Sequence, residues 1–186
     1  MEDIITLIGP RSVGKSTTGI SLAKSLDWIY IDLDEHMNNI LKEEGGISGF
    51  AEKYGWNKYY LRIHDELKVL LSSLKNKKIV LDVGGSATSS KFPASKFNAK
   101  LLSKRTKIVL ILPNEEDEKG IQVLFNREKQ RDHFKGWSKD KLMKKVRRDY
   151  FYNVPGMRKF AHFIIHTKKR KPKQLADYIM SLFKIN

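Results

Sequence analysis

The 186-residue chain contains no cysteine. That absence excludes a disulfide framework, a thiolate metal site and a cysteine nucleophile, and it suits a reducing compartment. Proline is scarce, at 5 residues, and no stretch rich in Pro, Gly and Ser reads as a linker or a disordered tail. Long apolar runs are missing too: no window approaches the roughly 18 apolar residues that span a bilayer, so an integral membrane protein is not expected. The first strand-like run begins at Ile4, which leaves no room for the charged and apolar regions of a signal peptide. The expectation is one soluble, cytoplasmic domain spanning residues 1–186. Acidic residues are in deficit, 21 against 36 Lys and Arg, for a formal charge of +15. Such a chain attracts anions. The positives are spread over residues 75–78, 139–148 and 168–173, with no RNP, zinc-finger or basic-zipper pattern. Solvated basic faces are expected rather than a dedicated nucleic-acid site.

What is present alternates. Apolar runs of strand length lie at residues 4–8, 28–31, 79–83, 108–112 and 163–166. Helical patterns fill 15–26, 34–43, 47–54, 56–74, 115–129, 139–150 and 172–183, with Ser138 as an N-cap for the sixth. Alternation of this kind predicts an α/β fold, a five-stranded parallel sheet with helices on both faces. The unbroken runs at 79–81 and 108–112 read as central strands buried on both sides. The charged stretch 129–139, with Gly136, is the candidate mobile segment.

Residues 9–16 read Gly-Pro-Arg-Ser-Val-Gly-Lys-Ser, which matches G-x-x-x-x-G-K-[ST] between a predicted strand and a predicted helix. An ordinary glycine-rich turn needs no lysine there. The glycines let successive amides of Gly9, Pro10, Arg11, Ser12, Val13, Gly14 and Thr17 surround phosphate oxygens, apart from the proline, which has none. Lys15 would bridge the β- and γ-phosphates of ATP, and Ser16 would give its hydroxyl to Mg²⁺. Asp32 and Asp34 follow the second run, at the strand ends where open α/β sheets bind ligands, and period-two spacing puts both on one side. One could hold magnesium and its water shell while the other accepts a proton from an attacking hydroxyl. Asp34 also reads as a helix N-cap. Asp82, ending the third run before Gly84 and Gly85, is either a second magnesium carboxylate or part of a plain strand-to-helix turn.

In this order the pieces resemble the shikimate kinase family, over essentially the whole chain. Gly9 to Thr17 match its nucleotide loop, Asp32 and Asp34 its D-x-D pair, and Gly84 with Gly85 two of its three substrate-loop glycines. The resemblance implies ATP-dependent phosphorylation of a small-molecule hydroxyl, with Lys15, Asp34 and Arg131 catalytic, Arg131 being the lid arginine. It implies that Arg127 packs near adenine, that Arg170 and Pro172 flank it, and that Arg148, in R-x-x-x-Y with Tyr152, holds the substrate carboxylate. The acceptor segment would span about residues 34–62 and the lid about 127–139, in a monomer. Three departures stand out. The family's G-E-x-x-F-R becomes 55–60 here, with Tyr60 at the arginine; Ser86 replaces the third glycine; and the lid reads Arg131-Asp132-His133-Phe134. Arg62, two residues past Tyr60, turns to the opposite helix face.

The aromatics Tyr54, Trp56, Tyr59 and Tyr60 fit core packing or a ligand face, and His162 with His166 read as packed or surface histidines rather than zinc ligands. Two alternatives stay open: a nucleoside, nucleotide or sugar kinase on the same scaffold, and an ATP-dependent regulatory module that binds nucleic acid.

Overall fold

The run at residues 4–8 becomes β1 (Ile4–Ile8), buried at all five positions because it is the middle strand of a sheet. Around it lie β2 (Ile29–Asp32), β3 (Ile79–Asp82), β4 (Lys107–Leu112) and β5 (Phe163–His166). The order is β2-β3-β1-β4-β5, and every pairing is parallel. The computed structural model describes residues 4–88, 92–168 and 170–184.

The helices are α1 (Lys15–Leu26), α2 (Leu33–Ile40), α3 (Gly46–Tyr54), α4 (Trp56–Ser73), α5 (Pro93–Arg105), α6 (Asp117–Glu128), α7 (Lys139–Phe160) and α8 (Pro172–Phe183). From β1 the chain first moves to the β2 edge, and every later connection steps the other way. Right-handed crossovers therefore put α1 on one face and α5 and α7 on the other. α8 packs beside α1, and α5 and α7 touch β4. The direction reverses at β1, so the crevice of this fold opens at the end of β1, where the phosphate loop begins.

All five predicted strands form, with no end displaced by more than one residue. Asp27 takes a left-handed conformation and Trp28 N–H bonds the Ala23 carbonyl at 2.9 Å, so Trp28 belongs to the end of α1 and β2 starts at Ile29. The expected helix 34–43 stops at Ile40 and a 3₁₀ turn, Lys42–Glu44, follows, because the Gly45-Gly46 pair disfavours continuation. Two helices differ more. Residues 93–105, not expected to be helical, form α5; its inner face mixes Ala94, Ala99 and Leu102 with buried Ser95 and Asn98, which hides the apolar stripe. α7 does not end near 150 but continues through Pro155 to Phe160, since burial of Val154 and Met157 outweighs the amide that proline lacks. Ser138 caps it as expected, accepting from Lys141 N–H.

Candidate active site

β1 delivers the chain to the phosphate loop, and α1 starts at Lys15 directly behind it. The loop bends sharply: Ser12 has φ 62° and Gly14 φ 101°. Gly14 is the N-cap of α1, and no side chain among the described residues bonds the helix's first amides. Those amides and the helix dipole are thus available to an anion. Pro10, Arg11, Ser12, Gly14, Lys15, Ser16 and Thr17 border a cavity of about 830 Å³, within the size range of small-molecule sites.

Beside the loop, Asp32 and Asp82 close neighbouring strands and pair in register. Ser16 Oγ donates to Asp82 Oδ2 at 2.7 Å, and Tyr30 Oη donates to the same oxygen at 3.2 Å. Asp82 is 4% exposed. Burial pushes its carboxyl above the usual carboxylate range, opposed by Lys15 and the Ser16 bond. A hydroxyl and two carboxylates are hard oxygen donors, few enough to leave positions for water and phosphate, which fits Mg²⁺.

Asp32 is the cap of α2: its Oδ1 accepts from the N–H groups of Asp34 at 2.9 Å and Glu35 at 3.1 Å. The capping role expected of Asp34 thus falls two residues earlier. Asp34 sits in the first helical turn, so the strand-to-helix turn, not strand alternation, brings it beside Asp32. Its carboxylate lies against the backbone of Gly84, where a Cβ would fall 2.6 Å from Oδ1. Although Asp34 faces the open cavity, crowding by its walls and the charge of Asp32 push its pKa up, while Lys15 pulls it down.

Gly84, Gly85, Tyr60, Arg131 and Arg148 also border the cavity. Arg131 lies 3.9 Å from Glu128, and Arg148, with an exposed side chain, lies 3.5 Å from Asp149. Five expected site residues lie outside the lining: Gly9, Val13, Arg127, Arg170 and Pro172. Val13 is buried beneath the loop. Arg127 grips the loop from behind, donating to the carbonyls of Ser12 at 3.1 Å and Val13 at 2.8 Å. Arg170 donates to the His166 carbonyl and covers the Tyr178 ring, next to Pro172 at the start of α8. His162, whose Nδ1 accepts from Ile108 N–H, is a packing residue. In the segment expected to form a lid, Phe134 is buried and meets Trp137 edge-on.

Sequence reasoning missed Glu128. This carboxylate is 4% exposed, accepts from the Ser12 hydroxyl, and faces Arg11 at 3.5 Å as well as Arg131. The spacing of Glu128 and Arg131, one helical turn, was the available signal. It also missed Phe92 and Asn153, which line the same cavity. There Tyr60 contacts Trp56 at 6.2 Å and Phe92 at 4.9 Å between ring centres. Burial pushes the Tyr60 hydroxyl above its usual range and Ser86 opposes that shift, so two of the departures from the family pattern meet each other.

A family profile described as shikimate kinase matches residues 11–184. The chain belongs to the shikimate kinase family. Over 90 residues this family member is 30% identical to "Shikimate kinase 2" of Yersinia enterocolitica, covering 48% of either chain. Over 81 residues it is 32% identical to the "Pentafunctional AROM polypeptide" of Schizosaccharomyces pombe, covering 44% of this chain and 5% of that one. The matches thus span half or less of those relatives' lengths. In fold it is similar to the shikimate kinase of Bacteroides thetaiotaomicron, with TM-score 0.78 and 19% identity over 97% of this chain and 98% of the other. A shikimate kinase from Acinetobacter baumannii, solved in complex with shikimate, gives TM-score 0.70 and 24% identity over 99% and 94%.

Proposed function

We propose that the chain transfers the γ-phosphoryl group of ATP to a hydroxyl of a small polar metabolite, and that family membership puts shikimate, giving 3-phosphoshikimate, first among acceptors. The observation that carries this reading is the meeting, in one cavity, of an uncapped phosphate loop, the Ser16–Asp82 pair and the Asp34 carboxylate. Lys15 and the loop amides orient the phosphates and offset their charge. Ser16, Asp32 and Asp82 would hold Mg²⁺, which when bound supplies further positive charge to the phosphate oxygens. Asp34, held against Gly84 with a raised pKa, orients the acceptor hydroxyl and takes its proton. Arg131 leaves Glu128 to neutralise charge on the transferring group. Gly84, Gly85, Tyr60 and Arg148 bound the acceptor, while Arg127 steadies the loop and Arg170 with Pro172 flank the adenine. The products are ADP and a phosphate ester, made by a cytoplasmic monomer.

The test is ADP release from Mg-ATP with shikimate, quinate, gluconate and nucleosides, beside a Lys15→Ala control. Shikimate-dependent release that vanishes in the control supports the reading in full. The aromatic wall at Tyr60 favours a second reading, a nucleoside or sugar kinase, which turnover with those acceptors alone would support. Tight ATP binding with no turnover of any acceptor would instead point to a regulatory module.

A further inference from the structure

Each of the two carboxylates beside the phosphate loop has one oxygen already filled. Asp32 Oδ1 accepts from the amides of Asp34 at 2.9 Å and Glu35 at 3.1 Å. Asp82 Oδ2 accepts from the hydroxyls of Ser16 at 2.7 Å and Tyr30 at 3.2 Å. A carboxylate oxygen has two lone-pair sites, so two donors occupy it. Each group is left with one oxygen for a cation. Ser16, its proton turned to Asp82, is left with oxygen lone pairs. The chain would thus supply three single oxygens to a metal, half of an octahedron, with phosphate and water to complete it.

Of the donors that fill these oxygens, two are amides at the start of α2 and one is the serine of the phosphate loop. The remaining one, Tyr30, has no part in the mechanism above. Packing holds it in place. Tyr30 pairs with Val80 of β3, and its ring lies against α1 at Gly19, where a Cβ would fall 2.7 Å from Tyr30 Cε2. Glycine is unfavourable inside a helix, and here it makes room for that ring three residues after Ser16. A phenylalanine ring would fill the same space. What tyrosine adds is the hydroxyl on Asp82, and because Tyr30 does not border the cavity, that hydroxyl acts through Asp82 rather than on the nucleotide.

We propose that Tyr30 is a positioning residue that keeps Asp82 a one-oxygen ligand, and that the site thereby favours Mg²⁺ over Ca²⁺. This rests on the reading of Asp82 as a magnesium carboxylate and deepens it. Mg²⁺ demands a near-ideal octahedron, which single oxygens from separate groups can supply. Ca²⁺ takes six to eight oxygens and readily uses both oxygens of one carboxylate. With the Tyr30 hydroxyl in place, the second oxygen of Asp82 is spoken for; without it, a lone pair of Oδ2 is free and two-oxygen binding opens to the larger ion.

The decisive experiment is calorimetric titration of ADP into the full chain in excess Mg²⁺, in excess Ca²⁺ and in EDTA, for wild type and for Tyr30→Phe. Wild type is expected to bind Mg-ADP more tightly than Ca-ADP. In Tyr30→Phe that preference should shrink by about tenfold, the usual effect of removing a partner that orients a metal ligand, while ADP in EDTA binds as before. A preference unchanged in Tyr30→Phe would overturn the proposal, as would a wild type that binds both metal complexes alike. Equal weakening in all three conditions would also overturn it, since loss of packing alone gives that result. The reading of Asp82 fails separately, if Asp82→Asn binds Mg-ADP as wild type does.

Discussion

The Ser16 hydroxyl donates a 2.7 Å hydrogen bond to Asp82, joining the first turn of α1 to the last residue of β3. Because burial raises the Asp82 pKa in the folded chain, its contribution to stability is fully present below the unfolded value of about 4 and is lost as pH rises through the raised one. Once ionised, the group is thus a net cost to the metal-free protein. Asp82→Asn should raise the metal-free melting temperature by about 2–4 °C, the equivalent of ~1 kcal/mol at this size, and abolish any stabilisation by added Mg²⁺. A lower metal-free melting temperature would mean that the charged bonds from Ser16 and Tyr30 outweigh burial.

Asp34 is the proposed base, and burial, with the charge of Asp32 second, pushes its pKa up. Activity requires the ionised form, so kcat/KM should fall on the acid side with a midpoint above the ordinary carboxylate value of about 4. Asp34→Asn should lower kcat by about 10²–10⁴-fold, leave ATP binding intact and remove that acid limb. A variant that kept the limb would assign the titration to another group.

Gly84 tests the same carboxylate without changing it. A Cβ there would come within 2.6 Å of Asp34 Oδ1 and 2.7 Å of Oδ2, and these are the movable end of a side chain. Gly84→Ala should therefore leave the melting temperature near that of wild type while displacing the base, with a loss of about 10²-fold in kcat. Unaltered turnover would show that Asp34 need not lie against this loop.

Much of this site was legible because its parts are local in sequence. The run Gly9 to Thr17 carries its own turn, amides and lysine, and continuous apolar runs mark strands buried on both faces. What was not legible depends on contacts between distant segments. In α5 the buried polar residues are there to bond elsewhere: Ser95 donates to the Ser86 carbonyl at 3.0 Å and Asn98 to the Tyr60 carbonyl at 3.1 Å, so a helix that supports the cavity wall at Tyr60 and Ser86 shows no clean apolar stripe. Asn153 was hidden by Pro155, which reads locally as the end of a helix although packing carries α7 past it. Glu128 lies in a run of charges, and only the fold reveals that it alone is buried against the phosphate loop.

Arg127 gives the sharpest distinction between a residue that touches nucleotide and one that holds the loop in shape. Its guanidinium already donates to two loop carbonyls, Ser12 and Val13, and it does not border the cavity. Those bonds fix the strained stretch in which Ser12 has φ 62°. Arg127→Ala should therefore destabilise the nucleotide-free protein by about 1.5–3 kcal/mol, the range for hydrogen bonds from a charged donor. Lysine, a single point charge, should restore only part of that loss. The KM for ATP should rise as the loop loosens, equally for ATP and GTP, because the defect lies at the phosphates. A variant that melts like wild type but loses its preference between the two bases would place Arg127 at the adenine instead.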